Sequence, residues 1–141
     1  MNEKKVDSTL WLTPLVLDKD FSVQFRVDHI HAELGPEFKV VPDQQEEFWN
    51  KLKTVCDQHN SRRVLVEGFV PKGERQTGEV VDAGLRTAAV PNLWLAFHLV
   101  DFVPDEMSEL YERIAASRGV RVKFFSDTER ALKWLRGNAP Q

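Results

Sequence analysis

Residues 93–100, LWLAFHLV, are the stretch that decides the fold. Every side chain in it except His98 is apolar. A continuous apolar run of strand length indicates a strand covered on both faces, as in parallel sheets flanked by helices. Pro91-Asn92 before the run and Pro104 after it are typical of positions where one helix ends and another begins. The run therefore predicts a central strand of an α/β sheet.

Two strands and a helix are predicted near the start of the chain. Apolar residues alternate from Phe21 to Val27, and the alternation changes phase after Asp28. Because a change of phase moves the apolar side chains to the other face, it predicts two strands, which we interpret as an antiparallel pair. Asp43, with Glu46 three residues later, predicts the N-cap of the first helix.

The remaining elements continue an alternation of strands and helices. Residues 63–70 predict a third strand, and Thr77 predicts the N-cap of a second helix. Pro104 predicts the first residue of a third helix. Residues 120–125 predict the last strand, and the S-x-x-E pattern from Ser126 predicts a capping box for the final helix. The order β-β-α-β-α-β-α-β-α indicates an α/β fold with a single mixed, mostly parallel sheet of about five strands and about four helices.

Length, charge and cysteine content narrow the class of protein. With 141 residues the chain has the size of one domain. We interpret residues 1–20 as an N-terminal arm, either disordered or an extra edge strand, residues 21–136 as the domain, and residues 137–141 as a frayed end. A net charge of -3 argues against nucleic-acid binding. Residues 10–17 are too short a run to cross a bilayer, and the single Cys56 cannot form an internal disulfide, so a cytoplasmic location is expected.

The last third of the chain carries a resemblance to a known family. Residues 119–127, GVRVKFFSD, and residues 129–135, ERALKWL, resemble the end of bacterial SpoIIAA-like proteins, in which a final strand leads into a short capped helix. The element order over residues 21–136 likewise resembles the STAS domain, named for sulfate transporters and anti-sigma-factor antagonists. The resemblance implies a STAS-like fold and a non-catalytic regulatory domain that binds a protein partner.

The same resemblance implies a switch by phosphorylation. In family members that antagonise anti-sigma factors, a Ser or Thr at the start of the second helix is phosphorylated within an Asp-Ser-Ser-Gly-like turn. The matching segment here is Gln76-Thr77-Gly78, which keeps the last two residues of the pattern and lacks its acidic residue and first hydroxyl. Thr77 is therefore the candidate phosphoacceptor, and a plain helix cap is its alternative role.

Polar residues that follow the strands predict a binding site at one edge of the sheet. In open α/β sheets, ligands bind beyond the carboxyl ends of the strands. We expect an anion or a protein partner to bind there, with structural roles in loops, turns and caps as the alternative. The candidate residues are Lys72, Gly73, Arg75, Thr77, Gly78, Asp101, Ser126 and Asp127.

The histidines and the cysteine have structural interpretations. His29, His31 and Glu33 share one face of a strand, which favours an exposed polar face over a metal site. His98, inside the apolar run, is interpreted as a core histidine that hydrogen-bonds a neighbour. Cys56 lies on an apolar helical stripe and is interpreted as a buried, unreactive thiol.

These observations favour one function and leave two alternatives. We expect a non-catalytic STAS-like regulatory or protein-interaction domain without cofactor or metal, with a homodimer as an alternative form of assembly. The first alternative is a binder of a small apolar or lipid-like ligand, because SpoIIAA-like domains are similar to the CRAL-TRIO fold. Its pocket would lie between the sheet and the second and third helices, where four aromatic residues either line it or pack as core: Phe69, Trp94, Phe97 and Phe102. An enzyme acting through Thr77, His98 or Asp101 is the second alternative, and the spacing of these residues gives it no support.

Overall fold

The computed structural model describes residues 20–38, 41–69 and 76–139. The strands of these residues are β1 (Phe21–Arg26), β2 (His29–Leu34), β3 (Arg63–Phe69), β4 (Trp94–Val100) and β5 (Arg121–Phe124). Their helices are α1 (Pro42–His59), α2 (Thr77–Thr87), α3 (Glu106–Ser117) and α4 (Thr128–Asn138). The element order predicted from the sequence is confirmed.

The strands form a single sheet in the order β1-β2-β3-β4-β5. β1 is antiparallel to β2, and every other neighbouring pair is parallel. The expected mixed, mostly parallel sheet is therefore confirmed. Each parallel connection passes through a helix, so the carboxyl ends of β2 to β5 lie at the same edge.

The hairpin of β1 and β2 accounts for the change of phase in the sequence. Phe21 pairs with Leu34 and Arg26 pairs with His29, which leaves Val27 and Asp28 as a two-residue turn. Directly paired residues share a face of the sheet, so the odd positions of β1 lie beside the even positions of β2. Val27 continues the alternation in sequence but is 96% exposed at the turn.

One face of the sheet is covered by α1, α2 and α3. Its core includes Ile30, Val64 and Leu95 from the strands and Leu52 and Ala115 from the helices, all of them buried. α2 packs closely against α3, because a Cβ added at Gly84 would lie 2.7 Å from the Ile114 side chain. This face holds the larger of the two cores.

The opposite face is covered by α4. Leu65 and Ala96 of the sheet form a second buried cluster with Ala131 and Leu135 of the helix. Trp94 packs at its margin, with its ring centroid 5.5 Å from that of Trp134.

Ion pairs and hydrogen bonds fix the end of α4 to the sheet. Arg136 Nε donates to Asp28 Oδ2 over 2.7 Å, and the buried Arg63 donates to the carbonyl oxygen of Ala139 over 3.2 Å. Hydrogen bonds from Arg136 and His29 lower the pKa of Asp28 to about 2. A cation near the carbonyl end of a helix is favourable, because that end carries a partial negative charge.

Gly68 permits the close pairing of β2 and β3. Its φ is +137°, and a Cβ at this position would lie 2.1 Å from the Leu34 carbonyl oxygen. Only glycine adopts this backbone without strain, and only glycine leaves room for the neighbouring strand.

The N-caps of the first two helices lie one or two residues before the predicted caps. α1 starts at Pro42 with Val41 as its N-cap, so Asp43 lies in the first turn and the predicted cap is wrong. α2 starts at Thr77 itself, and Gln76 is the N-cap, with its N–H donating to Glu79 Oε1 over 3.1 Å. Thr77 as a cap is therefore wrong, because the Glu79 carboxylate reaches back to the preceding residue.

The last two helices begin after the predicted positions. Asp105, not Pro104, opens α3, because its Oδ1 accepts the Ser108 N–H over 3.0 Å. Asp127, not Ser126, caps α4 and accepts the Arg130 N–H over 2.8 Å. Where polar residues stand side by side, the cap is the one whose side chain reaches the free N–H of the first turn.

The ends of the chain are described only in part. The predicted arm lies outside the described residues, except for residue 20. α4 continues through Gly137 to Asn138, two residues beyond the predicted end of the domain, and Ala139 is buried. Among the described helices, none combines the length and apolar character that a bilayer crossing requires.

Candidate functional site

The predicted site at the sheet edge is described for some of its residues. Lys72, Gly73 and Arg75 lie outside the described residues. Thr77 is the exposed first residue of α2, and a Cβ added at Gly78 would meet nothing within 4 Å. The start of α2 is therefore open to solvent on this side.

The other residues of the predicted site lie at the ends of β4 and β5. Asp101 follows β4 with φ +55° and is exposed, and Ser126 is exposed between β5 and α4. Asp127 serves as the cap of α4. Among the described residues, no hydrogen bond or ion pair joins Thr77, Asp101 and Ser126, so the structure gives them a shared edge without a shared contact.

A cavity lies instead beneath the three helices on the larger core. Its volume is about 140 Å³. Each helix contributes three lining residues: Gln45, Phe48 and Trp49 from α1, Glu79, Val80 and Ala83 from α2, and Met107, Ser108 and Tyr111 from α3. The sheet side is formed mainly by Phe97, Leu99 and Phe124. The exposed Glu79 marks its opening to solvent.

The wall of the cavity is dominated by aromatic rings. Phe97 stacks on Phe124 with centroids 4.7 Å apart, and Tyr111 meets Phe97 edge-on at 5.7 Å. Phe48 and Trp49 of α1 form another edge-on pair at 5.0 Å. Edge-on and stacked pairs are the favoured arrangements of aromatic rings, so the wall of the cavity is both apolar and well packed.

Two of the four aromatic residues expected at a pocket are confirmed there. Phe97 and Phe102 line the cavity. Trp94 packs against Trp134 on the opposite face, and Phe69 is 47% exposed, so neither lines it. Positions 94 and 97 differ by an odd number along one strand, and alternation therefore places them on opposite faces.

Most of the polar groups in the wall already have partners. The Tyr111 hydroxyl lies 2.6 Å from Thr87 Oγ1, which in turn donates to the Ala83 carbonyl oxygen over 2.9 Å. Burial raises the pKa of Tyr111 far above its usual range, so its hydroxyl stays neutral. Ser108 Oγ donates to the Asp105 carbonyl oxygen over 2.9 Å. No periodicity in the chain indicates the Tyr111–Thr87 pair, which joins two helices.

A polar cluster lies on the opposite face, centred on Glu67 of β3. His31 Nε2 is 3.0 Å from Glu67 Oε1, His98 Nδ1 is 2.8 Å from Glu67 Oε2, and Thr128 Oγ1 also donates to Oε2. Burial by itself would raise the pKa of Glu67, but hydrogen bonds from Thr128, His98 and His31 outweigh it and hold the pKa below its ordinary value. An ionised carboxylate only accepts hydrogen bonds, so both imidazoles donate.

The Glu67 cluster corrects the expectation of an exposed polar face on β2. His31 is 3% and His29 is 7% exposed, whereas Glu33 is exposed as expected. His29 Nδ1 is 2.8 Å from Asp28, so the two histidines have different carboxylate partners. Strand alternation assigns His31 to the face opposite Ile30 and Ala32, but it does not reveal that this face is buried at His31.

The hydrogen bond expected at His98 is confirmed, with Glu67 as its partner, but the core position is wrong because the His98 side chain is 26% exposed. Glu67 has one signal in the sequence, since it is an acidic residue that directly follows the apolar residues 64–66 of β3. In the register of β3 and β4 it pairs directly with His98. The geometry does not form a nucleophilic triad, because the carboxylate and the Thr128 hydroxyl approach the same ring nitrogen of His98.

Cys56 is buried on α1, as predicted. Burial raises the pKa of its thiol to about 11. The thiolate is the reactive form of cysteine, so the surroundings of Cys56 suppress nucleophilic chemistry at neutral pH.

Comparison with known proteins provides no relative for the site. No family model matches the chain, and neither does any curated protein or solved structure. The STAS resemblance therefore stays a prediction, and function has to be argued from the cavity and the side chains around it.

Proposed function

We propose that this chain is a non-enzymatic domain that binds one small apolar ligand in the cavity beneath α1, α2 and α3. The observation that carries the proposal is the cavity of about 140 Å³ with its aromatic wall. Protein interiors normally pack to high density, and the atoms around an unfilled space lose dispersion contacts. A ligand that fills the space restores those contacts.

The volume of the cavity sets the size of the ligand. Apolar cavities of about 150 Å³ accept benzene-sized molecules. Edge-on and stacked rings such as Phe97, Phe124 and Tyr111 offer faces and edges to a further ring. We therefore expect a compact ligand of about one ring, smaller than an extended lipid chain.

Binding of toluene and indole tests the proposal. Both should broaden or shift protein NMR signals of cavity residues and raise the melting temperature with ligand concentration, because they bind only the folded state. Ala83→Phe places a ring from α2 into the cavity and should abolish binding, while Ala116→Phe, at an exposed position on α3, should leave it unchanged. Absence of binding to the wild type, or retained binding in Ala83→Phe, would overturn the proposal.

A STAS-like regulatory and protein-interaction domain is the second candidate function. It is supported by Thr77, which is exposed at the first position of α2 beside the open space around Gly78. A phosphate there would lie at the positive end of the helix.

Mass spectrometry of the protein isolated from its own cells tests this second function. The proposal expects phosphate on Thr77 and none on Thr54, an exposed threonine within α1. Thr77→Glu should then change the affinity for the partner, whereas Thr54→Glu should not. A protein that carries no phosphate on Thr77 under any growth condition would contradict the switch.

A further inference from the structure

Gln45 differs from the other described polar residues in the wall of the cavity. Gln45 is 5% exposed and lines the cavity from α1. Its backbone N–H donates to the Val41 carbonyl oxygen over 3.0 Å, but its side-chain amide makes no hydrogen bond to any described residue. The amide is not among the fully enclosed side-chain atoms without a partner, which in the described residues are His31 Nδ1 and Arg63 Nε, so its oxygen and nitrogen remain accessible to a small molecule.

The neighbouring polar groups do not explain the unpaired amide. The Tyr111 and Thr87 hydroxyls bond each other, and Ser108 bonds Asp105. Gln45 therefore supplies a carbonyl acceptor and an NH₂ donor that remain available inside the cavity. A ligand group that is able to hydrogen-bond would satisfy this amide where a purely apolar ligand leaves it unpaired.

The charged residues around the cavity indicate whether the hydrogen-bonding group of the ligand is charged or neutral. Glu79, exposed at the opening, is the charged residue among the described lining residues, and none of the described lining residues is a lysine or arginine. Within the described part of the wall, an anionic group would meet the Glu79 carboxylate and no counter-charge, and burying an unpaired charge is strongly unfavourable. A neutral hydrogen-bonding group avoids this cost.

We infer that the ligand is an uncharged, ring-sized molecule with one hydroxyl or carbonyl group, and that Gln45 recognises this group through its side-chain amide. The inference rests on the proposed binding function and adds the chemical class of the ligand. Gln45 is thus a specificity-determining residue in a cavity whose other surfaces provide shape and apolar contact.

Titration with phenol, toluene and benzoate tests the inference. Phenol and toluene have nearly the same size and differ in a hydroxyl against a methyl group. The wild type should bind phenol at least about fivefold more tightly than toluene, which corresponds to one net hydrogen bond, and should bind benzoate most weakly. In Gln45→Leu, phenol should lose about fivefold in affinity while toluene binds as well as before or better. Gln58→Leu, at an exposed position on the same helix, is the matched control and should change neither.

A measurement on the wild type tests the inference even if Gln45→Leu fails to fold. The side-chain ¹⁵NH₂ signals of Gln45 should shift on addition of phenol and stay nearly unchanged with toluene. Equal binding of phenol and toluene, with no shift at Gln45, would overturn the inference and leave the proposed function standing. Benzoate that binds more tightly than phenol would overturn the neutral class of ligand. Failure of all three probes to bind would overturn the proposed function itself.

Discussion

The two faces of the sheet differ in the polar side chains that they carry and in how these are paired. The face beneath α1, α2 and α3 is apolar and leaves a cavity, whereas the face beneath α4 carries Glu67 with three hydrogen-bond donors. Both faces come from the same strands, since Val64 and Val66 of β3 alternate with Leu65 and Glu67. The apolar face thus has room for a ligand, whereas the polar face pairs most of its buried groups internally. His31 Nδ1 and Arg63 Nε are the buried side-chain atoms of the described residues that stay without a partner.

Gly68 allows β2 and β3 to pair closely, and both faces of the sheet depend on that pairing. Gly68→Ala should destabilise the protein by about 4 kcal/mol or more, because the Cβ would overlap the Leu34 carbonyl at a φ that alanine rarely adopts. Chemical denaturation measures the loss. Gly137→Ala, where a Cβ meets nothing within 4 Å, should be neutral or slightly stabilising, so equal effects at both glycines would refute the role of the close pairing.

Removal of Glu67 should affect the polar face more than any single hydroxyl. Glu67→Ala leaves His31 and His98 without their acceptor, and we expect a loss of about 3 kcal/mol in the free energy of unfolding. Glu33→Ala, on the same face of the neighbouring strand but exposed, should change stability by less than about 0.5 kcal/mol. Denaturant melts of the two variants compare them, and a small effect at Glu67 would show that the cluster is not a structural support.

On the apolar face, the Tyr111 hydroxyl should matter less. Tyr111→Phe removes one buried hydrogen bond, but Thr87 still donates to the Ala83 carbonyl, so the expected loss is about 1 kcal/mol. A cost as large as that of Glu67→Ala would mean that the Tyr111–Thr87 pair organises the cavity wall. The measurement is the same denaturant melt.

The smallest expected effect is a dependence on pH that belongs to the polar face. The folded-state pKa of Glu67 lies below its ordinary value, so its stabilisation is complete above the pKa of an unfolded glutamate, about 4.3, and is lost as pH falls through the lower folded-state pKa. Unfolding free energies measured from pH 6 to pH 2 should therefore fall less steeply in Glu67→Gln than in wild type. Tyr111→Phe should keep the wild-type slope, since that hydroxyl is neutral throughout this range. Parallel curves for wild type and Glu67→Gln would contradict the assignment.

The sequence determined the order of the elements, because each is specified by local information. Alternation over residues 21–34, the apolar run of residues 93–100 and the proline and glycine breaks depend on side chains a few positions apart. Helix starts were predicted to within two residues and missed in detail, as at Thr77 and Gln76, because adjacent polar residues compete for the same free N–H groups.

The candidate site depended on tertiary structure. Glu67 meets His31 across 36 positions and Thr128 across 61, and no periodicity in the chain connects them. The cavity likewise depends on the distance between three helices and the sheet. A change of a few ångströms in that distance decides whether Phe97 and Phe102 pack tightly or leave space. Sequence periodicity assigns a side chain to a face, but the packing of distant elements decides whether that face is filled, and so only the structure revealed an unpaired Gln45 beside an open space.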